Sequence, residues 1–175
     1  MSNEEDQLHA YVLATIGDQI PAWPGGWPDE IDAALIDAVF SVRAHYGSRE
    51  AGRESGVYGA VQRWRRQREA ANDLRVLTGT TVEELRAITN SGKIRGRYKA
   101  EVVRDAAAAL VHAKIVTAAD LQTREPAARA AYLSVSGCGP VTWRYLRMLV
   151  GSDDVKPDTW VMRFVRDKLP EIADP

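Results

Sequence analysis

The stretch "SVSGCGPVTWRYL", Ser134 to Leu146, places Gly137 and Gly139 on either side of the chain's single cysteine and follows them at once with proline and a helical run. Glycine reaches backbone conformations that a side chain forbids. Proline suits the first turn of a helix, where its missing N–H would have had no partner. The stretch therefore predicts that one helix ends, the backbone turns tightly, and a second helix begins: a helix–hairpin–helix. Such a turn leaves N–H groups at a helix N-terminus directed outward, where the macrodipole and the unpaired donors favour an anion such as a DNA phosphate. Contact through backbone reads position and no base sequence. Standing alone, the same stretch reads first as a helix-to-helix turn with a glycine cap and no ligand.

Outward from this turn the chain reads as a string of short helices. "PDEIDAALIDAVFSVRAHYG" has Asp29 as a cap, apolar Ile31, Leu35, Ile36, Val39 and Phe40 at helical spacing, and Gly47 as a stop. "GVYGAVQRWRRQREAA" sets Val57, Val61 and Trp64 on one face, and "TTVEELRAIT" opens with a capping box from Thr81 to Glu84. "NSGKIRGRY" is a loop, "KAEVVRDAAAALVHA" an alanine-rich helix, "AADLQ" and "EPAARAAYLSV" two short ones. "GPVTWRYLRMLVG" and "DTWVMRFVRDKL" follow as the last two. No run alternates with period two for long enough to predict a strand. The fold class expected is all-α, a helical bundle with a helix–hairpin–helix, compatible with two small lobes around a cleft. Residues 1–28 form an acidic helix and a Trp/Pro/Gly loop, and 29–175 a single compact helical domain. In that loop, "PAWPGGWP", Trp23 and Trp27 are expected to fold back over apolar helix faces.

The 175 residues suffice for one well-filled core. One cysteine forms no internal disulfide, and His9, His45 and His112 lie scattered, so neither a metal nor an iron–sulfur cluster is expected. The acidic start and the lack of a long apolar run predict a cytoplasmic protein with no membrane partner. The net charge of −1 hides an asymmetry: residues 1–40 carry 8 acidic side chains and no Lys or Arg, leaving 23 basic and 16 acidic for 41–175. A basic body is compatible with nucleic-acid binding without requiring it. Two basic clusters stand out, "KIRGRYK" with Lys93, Arg95, Arg97 and Lys99, and "RWRRQR" at 63–68. The first is the better candidate for phosphate contacts; the second is expected to be the wet face of a helix that buries Trp64.

Beyond the hairpin, Asp158 opens the final helix, followed by Thr159 and, four residues later, Arg163. Together with Leu133, Gly137, Gly139 and Thr142, this pattern resembles the helix–hairpin–helix DNA glycosylases of base-excision repair. "RGRYKAEVVRDAAAAL" looks like that family's loop and helix before the hairpin, and "LIDAVFSVRA" like its early pocket helix, with Arg43 where many members place glutamine. The resemblance implies a carboxylate, Asp158, beside the sugar of an extruded nucleotide, stabilising the positive charge that develops as the base leaves. It implies double-stranded DNA as partner, held by sequence-independent backbone contacts at Gly137, Gly139, Thr142, Arg43, Arg95, Arg97 and Lys99. It also leaves room for a monovalent cation at the hairpin.

The departures narrow the expectation. Members that also cut the strand carry a lysine nucleophile one residue before the threonine of the second hairpin helix, and Val141 stands there. The four-cysteine cluster loop of some members is absent as well. Cys138 is expected to fill a small apolar slot, with no neighbouring base to mark it as a nucleophile. The expected function is a glycosylase without a lyase lysine that hydrolyses the N-glycosidic bond of a damaged or modified base. The alternatives are a non-catalytic helix–hairpin–helix DNA-binding protein and a purely structural bundle, in which Asp158 is only a helix cap.

Overall fold

Helix-forming segments separated by glycine, proline and capping residues give an almost wholly helical chain, here as a computed structural model that describes residues 3–18, 25–50 and 52–170. The helices are α1 (Asn3–Ile16), α2 (Ile31–Phe40), α3 (Gly56–Gln67), α4 (Leu74–Gly79), α5 (Val82–Ile88), α6 (Lys99–His112), α7 (Ala118–Thr123), α8 (Glu125–Leu133), α9 (Pro140–Leu149) and α10 (Thr159–Lys168). The fold is all-α, as expected. The one exception lies in the segment read as a loop: β1 (Lys93–Ile94) and β2 (Arg97–Tyr98) pair antiparallel across Arg95 and Gly96. Two residues per strand are too few to show any alternation, which hides such a hairpin from a periodicity argument. Both turn residues have positive φ, 48° and 83°, the geometry that matches the twist of a two-residue hairpin.

The chain divides into two compact units. The larger, Gly25–Val155, holds α2 to α9. The smaller groups Met1–Pro24 with Lys156–Pro175, whereas the sequence reading kept 29–175 together. In the smaller unit α1 and α10 pair, with Tyr11 and Phe164 stacked at 5.0 Å between ring centroids.

The larger unit is organised around α2, every residue of which is buried. The apolar positions behave as their spacing predicts, while Asp32 and Asp37 are also fully buried, so the helix has no wet face. Each aspartate is satisfied by hydrogen bonds, as burial demands. Asp32 accepts from the Trp64 indole (2.8 Å), the Arg68 guanidinium (2.8 Å) and the backbone N–H of Asn72 (3.0 Å). Asp37 accepts from the Trp27 indole (2.8 Å) and the hydroxyls of Tyr46 and Tyr145 (both 3.1 Å).

Several local expectations need correction. Asp29 does not cap α2: its φ is +55° and Glu30 stands at the cap position, its carboxylate paired with Arg65 and Arg68. The helix stops at Phe40, seven residues short of Gly47, because the ammonium of Lys99 takes the carbonyls of Phe40 and Val42 (both 2.8 Å) and Arg43 turns left-handed at φ +47°. The "RWRRQR" run is a wet face only in part: Arg66 and Gln67 are exposed, while the arginines around them are turned to partners. Arg63 donates to the carbonyls of Ile88 (2.7 Å) and Thr89 (2.6 Å) at the end of α5, Arg65 and Arg68 hold Glu30, and Arg66 reaches Glu54. Trp64, by contrast, is buried as expected. Trp27 is buried too and its backbone N–H donates to the Leu149 carbonyl, whereas Trp23 lies outside the described residues.

Candidate nucleic-acid interface

The glycine turn joins α8 to α9 as a helix–hairpin–helix. Its two glycines do different work. Gly137 has φ +107°, and a Cβ there would stand 3.0 Å from the Val102 Cγ2 of α6, so both conformation and space require glycine. Gly139 is extended, at φ −151°, a conformation open to any residue, and its Cβ would meet nothing within 4 Å. The expectation that both glycines adopt forbidden conformations holds for Gly137 alone. Gly139 instead leaves the backbone open to close approach from outside.

Local bonds then hold the turn. The Cys138 N–H returns to the Val135 carbonyl (3.0 Å), and the Thr142 hydroxyl accepts from the Gly139 N–H (3.0 Å) and donates to the Gly139 carbonyl (2.9 Å). Thr142 is buried and so acts as a brace for the turn. Pro140 supplies no N–H, and those of Val141 and Thr142 have no protein partner among the described residues, giving α9 an N-terminus with two open donors.

Beneath the turn, the Cys138 thiol packs against the core and burial pushes its pKa up to about 11, so it stays protonated and is no nucleophile. The fully buried Tyr132 hydroxyl sits beside Cys138 and Thr142 without completing a hydrogen bond, and burial raises its pKa far above the ordinary phenol range. Among the described residues no three His, Cys, Asp or Glu side chains gather as a metal site.

The basic β-hairpin adjoins this turn. Arg97 donates to the Ser136 carbonyl (3.1 Å) and pairs with Asp105, and the methyl of Ile94 lies 3.7 Å from the Cβ that Gly137 lacks. Arg95, exposed, occupies the tip. Lys99 does not join this surface. It is buried, its ammonium is spent on the end of α2, and desolvation lowers its pKa. The same ammonium ties the segment that carries exposed Arg43 to the start of α6, directly after β2. Sequence spacing alone could not distinguish Lys99 from its exposed neighbours.

Asp158 belongs to the smaller unit. It caps α10: one oxygen, Oδ1, accepts from the N–H groups of Trp160 (3.0 Å) and Val161 (3.2 Å). Its other oxygen takes no hydrogen bond among the described residues. Thr159 and Arg163 are both exposed on that helix.

The sequence reading missed Arg86. This half-buried residue of α5 lays its guanidinium 3.7 Å from the centre of the Tyr98 ring, with Lys93 Nζ 4.7 Å from the same centre. No helix among the described residues is long and apolar enough to cross a membrane. No curated protein and no solved structure matches the chain. Residues 6–173 match the family described as a domain of unknown function (DUF8548), and the chain belongs to that family.

Proposed function

We propose that this protein binds double-stranded DNA by its backbone, through the α8–α9 hairpin and the basic β-hairpin beside it. The observation that carries the reading is the bond from Arg97 to the Ser136 carbonyl. It sets a cationic loop against a helix N-terminus with two open N–H donors. Cationic side chains and helix N-termini are the groups that hold phosphates in position, and they do so without reading sequence. Affinity for a short duplex is expected to be independent of base sequence and to fall steeply with salt, as counterions released by the phosphates recondense. Fluorescence anisotropy across a salt series measures this. A folded protein that fails to bind any duplex at low salt would overturn the proposal.

A second reading adds chemistry: hydrolysis of an N-glycosidic bond assisted by Asp158. One observation favours it, that capping of α10 occupies a single carboxylate oxygen and leaves the other available to a developing positive charge. Asp158→Asn separates the two roles, because asparagine caps a helix about as well as aspartate but carries no charge. The variant is expected to keep its stability within about 0.5 kcal/mol and its affinity for DNA. It should lose the release of free base when oxidised, deaminated, alkylated or phage-modified DNA is screened by mass spectrometry. Base release undiminished in the variant, or absent from the parent protein on every substrate, would leave Asp158 as a cap and the protein as a binder.

A further inference from the structure

Arg86, Lys93 and Tyr98 come from three adjacent elements, α5, β1 and β2, and the fold converges two cations on one aromatic ring. Arg86 is held there. Its Nη2 donates to the Ser91 hydroxyl (3.2 Å), and its Nε is buried with no partner. Attraction to the ring face offsets part of the cost of bringing each cation in, but not the repulsion between them. Elsewhere in this unit Arg53, Arg65, Arg66, Arg68, Arg75, Arg97 and Arg147 each form an ion pair with a carboxylate. Among the described residues Arg86, Lys93 and Arg95 form none. Two carboxylates at the start of α6 are already engaged, Glu101 by the Tyr98 N–H (2.8 Å) and Asp105 by Arg97.

We propose that Arg86 and Lys93, converging on Tyr98, form a second phosphate-binding subsite that takes a phosphodiester of the same DNA held at the α8–α9 hairpin. An anion held by both cations, neither of which has a carboxylate partner, offsets their repulsion and supplies further acceptors. The occupant follows from continuity. The strands that carry Lys93 and Tyr98 are those whose Arg97 reaches Ser136, so the subsite and the hairpin are consecutive stations along one cationic tract. Arg95, at the tip, lies between Lys93 and Arg97 in the chain. Tyr98 is a positioning residue in this scheme: its ring fixes where the two charges stand.

The inference rests on the DNA-binding reading, and one experiment separates their failures. The full chain is titrated against a short duplex over a salt series, as the parent protein, Lys93→Gln, Arg86→Gln, the double variant, Arg86→Lys, and Arg53→Gln as an exposed arginine outside the tract. Each neutralising change in the subsite should reduce the slope of log affinity against log salt by about one, and the double change by about two. Arg86→Lys, which keeps the charge, and Arg53→Gln should leave the slope near the parent's. Thermal unfolding confirms that each variant is folded. A parent protein that binds with a steep slope, unchanged in the folded double variant, overturns the subsite and leaves the hairpin reading standing. A parent that binds no duplex overturns both, as does binding to anionic vesicles that depends on these residues while duplex is ignored.

Discussion

Replacing Asp37 with alanine should destabilise the protein by about 4 kcal/mol, the largest effect expected of any single substitution here. The carboxylate is fully buried on the central helix, and it accepts hydrogen bonds from the Trp27 indole and from the hydroxyls of Tyr46 and Tyr145. Alanine removes all three acceptances at once, from the buried Trp27 indole and Tyr145 hydroxyl and from the part-buried Tyr46 hydroxyl. Each such donor costs about 1–3 kcal/mol. The same carboxylate, after burial itself, helps hold Tyr46's phenol up to about 12 and Tyr145's far above the ordinary range, so both stay protonated donors at neutral pH. Urea unfolding monitored by tryptophan fluorescence measures the loss, and Asp37→Asn, which keeps acceptor capacity, should cost clearly less. A cost below about 1 kcal/mol for alanine would mean that the network is not holding α2 in place.

The second large effect belongs to the hairpin. Gly137→Ala should cost about 2 kcal/mol, because alanine rarely adopts φ +107° and its Cβ would meet two Val102 methyl carbons at 3.0 and 3.1 Å. Val102 is fully buried in α6 and cannot withdraw, so the turn itself must shift. With it shifts the start of α9, and duplex affinity should fall at least tenfold. Gly139→Ala provides the matched comparison. That position is extended and faces open space, so stability should change by less than about 1 kcal/mol, whereas the added methyl stands where a phosphate would approach the backbone. Affinity lost in the stable Gly139 variant places the DNA at the turn. Full affinity in both variants would remove the hairpin from the interface.

What the sequence conveyed reliably was local. The Thr81–Glu84 capping box forms, Asp158 caps α10, Pro140 opens α9, and the glycine turn lies between α8 and α9. Each depends on atoms within a few residues of one another, so the residue types and their spacing carry almost all of the energy involved. The short β-hairpin escaped because two paired residues per strand leave no period to detect. Helix α4, six residues with one cap, escaped for a similar reason.

Charge was where sequence reasoning went astray, and the reason is distance along the chain. Arg68 and Asp32 are 36 residues apart, Lys99 and Phe40 59, and Tyr145 and Asp37 108. A charged side chain is solvated unless a partner is folded against it, and nothing near Lys99 or Asp37 in sequence reveals that partner. Thus "KIRGRYK" reads as four equal phosphate contacts, while the fold buries Lys99 as a brace, pairs Arg97 with Asp105 and leaves Lys93 and Arg95 unpaired. The sequence by itself determined most of the helices, the Thr81 and Asp158 caps and the turn that offers α9's N-terminus, since these arise from short-range backbone chemistry. Only the tertiary structure decided which charges are consumed in holding α2 and which remain for an anion, because that choice is made by long-range packing around a buried helix.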